Sequence, residues 1–128
     1  MKDILKKARG GNVKAQLAVA LNYIWGSDGF PKNERQGRIW YKKAALRGNP
    51  EAMFNLGTMQ LNGEGGKTDI KNGIEWLKAA ATSKKKHIYS ETAPKLLCDI
   101  FRNGHYGIEK DRNESAYWKQ IYKKRING

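Results

Sequence analysis

The sequence predicts an all-α protein, a superhelix of about three stacked helix hairpins behind a short N-terminal capping helix. Three observations predict it. Alanine, glycine and tryptophan recur in a fixed order at near-constant spacing along the chain. Between these markers, apolar residues return at the period of an amphipathic helix. Only three prolines, Pro31, Pro50 and Pro94, interrupt the 128 residues, so long helices can run between them.

The markers define the repeat. Ala15, Ala52 and Ala93 are each followed eleven residues later by a glycine, at Gly26, Gly63 and Gly104. Thirteen or fourteen residues after each glycine stands Trp40, Trp76 or Trp118, and seven before each tryptophan stands Asn33, Asp69 or Asp111. Local strings repeat as well: GNVKA at 11–15 returns as GNPEA at 48–52, and WYKKAA at 40–45 returns as WLKAAA at 76–81.

Each element follows in order. The segment LKKARGGN echoes YKKAALRGN, so residues 1–10 read as the end of a second helix that caps the stack. Repeat one spans 11–47, with Leu17, Val19, Ala20, Tyr23 and Ile24 on a first helix that Gly26 stops. Asn33 then N-caps a second helix through Trp40. Repeat two spans 48–83 and repeat three 88–126, with Gly63 and Gly104 as stops and Asp69 and Asp111 as caps. Ala44, Ala45, Ala80 and Ala81 let neighbouring helices approach closely. The extra residues around Ser83–His87 form a longer helix end or a bulging loop. A hairpin of this kind cannot bury its apolar face alone and must stack on its neighbours.

These residues resemble the SEL-one-like repeat family, a relative of the tetratricopeptide repeat. The resemblance rests on Leu56-Gly57, Gly63-x-Gly65, Asp69, Trp76-Leu77-Lys78 and Ala80-Ala81 in unit two. Unit one departs from the pattern at Ala20, Asn33 and Gly37, and unit three at Cys98. The resemblance implies a curved superhelix whose first helices line the concave face, and an adaptor role in protein complexes. It implies no single partner, because a fold alone never fixes one. Extracellular members often carry a disulfide in each repeat. This chain has one cysteine, so a reducing, cytoplasmic setting is expected. The first residues, MKDILKKARGGN, carry no apolar leader core, and no window is long and apolar enough to suggest a membrane role.

Catalysis has little to work with. His87 and His105 lack acid or cysteine partners at metal-ligand spacing and read as loop residues. Cys98 holds a position where the other units place Ala20 and Gly57, so small size is what that place requires. No cofactor, no metal and no catalytic group is expected, and the chain is expected not to be an enzyme. Trp40, Trp76 and Trp118 share one repeat position and read as structural. Trp25 does not share it.

Mapping the resemblance's concave face onto the first helices gives Lys14, Leu17, Leu21, Ile24 and Trp25 in unit one, Glu51, Phe54, Thr58, Leu61 and Asn62 in unit two, and Thr92, Lys95, Asp99, Arg102 and Asn103 in unit three. The candidate partner site is Leu17, Leu21, Ile24, Trp25, Phe54, Thr58, Leu61 and Asn62. Arg35, Arg38 and Lys42 fall on one side of a second helix and read as a basic rim. The net charge is +13, from 25 Lys plus Arg against 12 Asp plus Glu, which favours an acidic partner. The function expected is a non-catalytic protein–protein interaction module. Two alternatives stay open: an immunity protein that occludes an acidic toxin, and a basic nucleic-acid binder. The second is less favoured, since no aromatic platform is interleaved with the cations.

Overall fold

The computed structural model describes residues 1–128. Seven α-helices follow one another: α1 (Lys2–Arg9), α2 (Val13–Trp25), α3 (Glu34–Leu46), α4 (Pro50–Asn62), α5 (Ile70–Ala81), α6 (Ile88–Asn103) and α7 (Arg112–Asn127). A 3-10 turn lies at His105–Gly107, and there is no strand. Helices pack mainly on their sequence neighbours, and α4 also touches α6, so the first helices of the second and third hairpins sit side by side. The all-helical solenoid predicted from the repeat is the observed architecture, with α1 capping its N-terminal end.

The three hairpins α2–α3, α4–α5 and α6–α7 close by one device. Gly26, Gly63 and Gly104 end their helices in the left-handed region, at φ 66°, 70° and 71°. Glycine adopts that conformation without the clash a Cβ brings. The amide of the next N-cap then donates back to a carbonyl three residues before the glycine. These bonds run from Asn33 to Tyr23 at 2.7 Å, Asp69 to Gln60 at 2.8 Å, and Asp111 to Phe101 at 2.9 Å. Each N-cap side chain accepts from the amide three residues on, Gln36, Asn72 or Glu114, at 3.1 Å in all three. Such a cap is worth about 0.5–2 kcal/mol. At Asp69, bonds from the Asn72 backbone and side chain hold the carboxyl below its usual range.

Small residues set the distance between paired helices. A Cβ on Gly57 would stand 2.9 Å from the Gly73 carbonyl oxygen, and a Cβ on Gly73 would stand 2.9 Å from that of Gly57. In the first hairpin Gly37 crosses Ala20, where a Cβ would lie 3.2 Å from the Ala20 oxygen and 2.5 Å from Ile24 Cδ1. In the third the crossing holds Cys98 and Ser115, with Sγ and Oγ 3.4 Å apart and Ser115 Oγ donating to the Cys98 carbonyl at 3.1 Å. Cys98 is buried there.

The core forms two clusters. Leu5 and Ala8 of α1 join Val19, Ala20, Trp40, Ala44 and Leu56 in one, and Ile74, Leu77, Leu97, Ile100 and Trp118 build the other. Gln16 ties α1 to α2 by donating its amide to the Ala8 carbonyl at 3.0 Å. Trp40 and Trp118 are buried, whereas Trp76 is half-buried and packs on the rim of the first cluster.

The third hairpin departs from the other two. The extra residues before it divide between a longer connection and an added first turn on α6: Ala93 is the sixth residue of its helix, where Ala15 and Ala52 are the third. His87 is the N-cap of α6 rather than a free loop residue. Its Nδ1 accepts from the Tyr89 amide at 3.2 Å, and Ser90 Oγ accepts from the His87 amide at 3.1 Å. Arg125 of α7 reaches across to this connection, donating to the carbonyls of Ala81 (2.9 Å) and Ser83. A cation placed on the open carbonyls of a helix C-terminus is favourable both as a donor and against the helix dipole.

Candidate functional site

A groove of about 290 Å³ opens on the side formed by the first helices. Leu21, Ile24 and Trp25 of α2 make one wall, and Glu51, Asn55, Thr58 and Met59 of α4 make the other. Tyr41 and Glu34 of α3, Glu64 of the α4–α5 loop and Tyr89 of α6 complete it. Trp25 is 74% exposed and Leu21 38%, in a chain whose other tryptophans are at least half-buried. An indole left in water at the lip of a groove presents a large apolar body with no partner in its own chain.

Local geometry explains the lining. On α4, Glu51, Asn55, Thr58 and Asn62 stand three or four residues apart and therefore share one stripe. Gly37 has no side chain, which lets α3 pass beneath Ile24 and seats that residue in the wall. The added turn of α6 carries Tyr89 to the groove, where its ring lies 4.9 Å from Phe54 and stacks on His87 at 5.3 Å.

Four of the residues expected from sequence line the groove: Leu21, Ile24, Trp25 and Thr58. The other four sit elsewhere. Leu17 packs against the first core cluster and Phe54 against the second. Leu61 is 3% exposed and lies in the second core, beneath Gly73. Asn62 is exposed and donates to Glu64 Oε1 at 3.2 Å, so it positions a lining carboxylate. Sequence reasoning did not select Tyr41, Asn55, Met59, Glu34, Glu64 or Tyr89 for the site. Of these, Asn55 alone carried a signal, its spacing from Glu51 and Thr58.

The expected basic rim divides. Arg35 and Lys42 are exposed. Arg38 instead donates from Nη1 to the carbonyls of Glu64 (3.2 Å) and Lys67 (3.0 Å), pinning the α4–α5 loop to α3. Close approach of that loop needs Gly65, where a Cβ would lie 2.5 Å from the Glu34 carbonyl oxygen.

The electrostatics of the groove are opposite to those of the chain. Its lining contains Glu34, Glu51 and Glu64 and no lysine or arginine. Neither ion pair of the structure, Lys78–Glu114 and Arg102–Asp99, involves these carboxylates. Tyr41 registers the field: burial first, and the charge of Glu51 next, push its hydroxyl up to about 12.

No helix is long and apolar enough to cross a membrane. The chain is 30% identical over 92% of its length to chitin synthase regulatory factor 2 of Schizosaccharomyces pombe, covering 23% of that protein. It spans about a fifth of the length of the curated relatives it matches (18% and 23%). Among solved structures, it superposes on c5321 with a TM-score of 0.80 at 30% identity, covering 95% of this chain and 25% of that one. That protein is described as a protective antigen of uropathogenic Escherichia coli strains displaying an SLR fold. A Sel1 repeat protein from Oxalobacter formigenes gives 0.79 at 27% identity, with 100% and 91% of the two chains covered. The Sel1 repeat pattern matches residues 13–49, 50–84 and 96–118, and with the three capped hairpins that carry it, the chain belongs to the Sel1 repeat family.

Proposed function

We propose that this chain is a non-catalytic module that holds a partner protein in the groove between α2 and α4. Sel1 repeat proteins are in general protein-interaction modules, and a regulatory factor among the relatives accords with that reading. The single observation that carries it is the exposed Trp25 beside Leu21 at the groove's lip. Aromatic anchors dominate interface energetics, at about 2 kcal/mol or more each. The basic outer surface, with Arg35, Lys42 and Lys84–Lys86, would hasten encounter with a partner of net negative charge.

The test uses a photo-crosslinking amino acid at position 25 and, in parallel, at Lys42 on α3. The reading expects a discrete protein adduct from position 25. Trp25→Ala should weaken that partner's binding about thirtyfold with unchanged helical content, the ratio equivalent to about 2 kcal/mol. Binding that survives Trp25→Ala but is lost on charge reversal at Arg35 and Lys42 would move the site to the outer face.

A further inference from the structure

We propose that the groove receives a basic segment of its partner, a lysine or arginine side chain flanked by apolar residues, although the chain as a whole is strongly cationic. The inference rests on the groove being the binding site and adds the chemistry of what enters it.

With 25 basic residues against 12 acidic, a cleft lined at random would hold more cations than anions. This one holds three carboxylates and no cation. At physiological ionic strength the screening length is about 8 Å, so a group inside the groove responds to its lining before it responds to the net charge. Low-dielectric walls then focus the local field.

The apolar lining matches the same ligand. Arginine and lysine have aliphatic stems that pack on apolar surface while the charged end stays with polar groups. Trp25 and the half-buried Tyr89 offer aromatic surface for such a stem, and a guanidinium stacks on indole faces more readily than an ammonium does. Glu51 lies on α4 in the same lining, and its field already reaches Tyr41. Glu64 is held by the Asn62 side chain. An acidic segment would meet three like charges and no lysine or arginine in the lining, the nearby Arg38 being engaged by the carbonyls of Glu64 and Lys67.

The probes are three fluorescent decapeptides with the same three leucines in a glycine–serine frame, carrying three arginines, three citrullines or three glutamates. Citrulline keeps the shape of arginine without its charge, a urea carbonyl standing in place of one NH2 group. Binding is read by anisotropy, and location by the Trp25 indole resonance in ¹H–¹⁵N spectra, assigned with Trp25→Phe. The arginine peptide should shift that resonance and bind about tenfold more tightly than the citrulline peptide, a ratio of about 1.4 kcal/mol from three partly screened ion pairs. Glu34→Gln with Glu64→Gln, both exposed positions, should reduce the ratio to within about threefold; Glu34→Gln alone gives an intermediate ratio should the double variant lose helicity. The glutamate peptide should meet the outer surface and leave the indole unmoved. Equal affinity of the arginine and citrulline peptides, or a glutamate peptide that shifts Trp25 more strongly, overturns the proposal while leaving the groove as the site. No shift of Trp25 by any peptide overturns the groove reading itself. A self-associated species that the arginine peptide disperses would identify the occupant as a second copy of this chain and overturn the partner assignment.

Discussion

Replacing Gly73 by alanine should destabilise the protein, although the same change in most helices stabilises it. The new Cβ would stand 2.9 Å from the Gly57 carbonyl oxygen and 2.9 and 3.0 Å from Leu61 Cγ and Cδ2. The carbonyl belongs to a helix backbone and cannot swing away. Leu61 is 3% exposed and is held among the side chains of the second core cluster. Overpacking of this sort costs about 1–3 kcal/mol, and with both neighbours fixed the upper half of that range applies. Against it stands about 1 kcal/mol of helix propensity gained from glycine to alanine. The net expectation is a loss of about 1–2 kcal/mol, or roughly 4–8 °C in Tm for a domain of this length. Gly10→Ala is the matched control. Gly10 sits at φ −75° and its Cβ would meet only the Lys6 and Lys7 carbonyls at 3.4 Å, an ordinary contact, so that variant should gain about 0.4–1 kcal/mol. Urea titration followed at 222 nm, with unchanged m-values, separates the two. Should Gly73→Ala prove as stable as Gly10→Ala, the hairpin crossing is not fixed by glycine contact and the account of helix spacing fails.

Three further outcomes follow from the same geometry. Cys98→Ala should cost less than about 1 kcal/mol, since it removes one weak sulfur contact to Ser115, and the native thiol should react with Ellman's reagent only after denaturation. Arg125→Ala should cost about 2 kcal/mol through two carbonyls left without their charged donor, and should first raise amide exchange in the 82–87 connection. Tyr41 holds its proton more tightly folded than unfolded, so its contribution to stability is complete below pH 10 and is lost as pH rises toward about 12. Ultraviolet titration should show one late-ionising tyrosine that Tyr41→Phe removes.

The hairpin framework was legible because each marker answers a demand made by its own backbone. A left-handed stop selects glycine, an N-cap selects Asn or Asp, and a helix crossing selects a small residue, and all three demands return with the repeat. The groove was legible only in part because membership turns on rotation about a helix axis. Phe54 and Leu61 neighbour Thr58 and Asn62 in sequence, but Leu61 stands four residues from Gly57 and therefore shares the face that α5 covers. Glu51, Asn55, Thr58 and Asn62 form the other stripe. Tyr89 reached the groove through the added turn of α6, which breaks the register of the repeat and so could not be projected from the other units.

Charge was misleading for a related reason: a net value is a sum over the chain, and a binding surface is a selection from it. Glu34 and Glu51 stand in the first turns of α3 and α4, where a carboxylate gains about 0.3–1 kcal/mol from the helix dipole. Helix formation alone would favour them there. It does not account for the rest of the lining, because the same surface excludes every lysine and arginine of a cation-rich chain. Nor does it account for Glu64, which lies in a loop outside any first turn, held toward the groove by Asn62 from the end of α4. The Arg38 guanidinium reaches the backbone of that same loop and is engaged there by two carbonyls, leaving the Glu64 carboxylate without an ion-pair partner. Arg38 thus holds in place the loop that carries Glu64, and no salt bridge engages the three carboxylates of the lining.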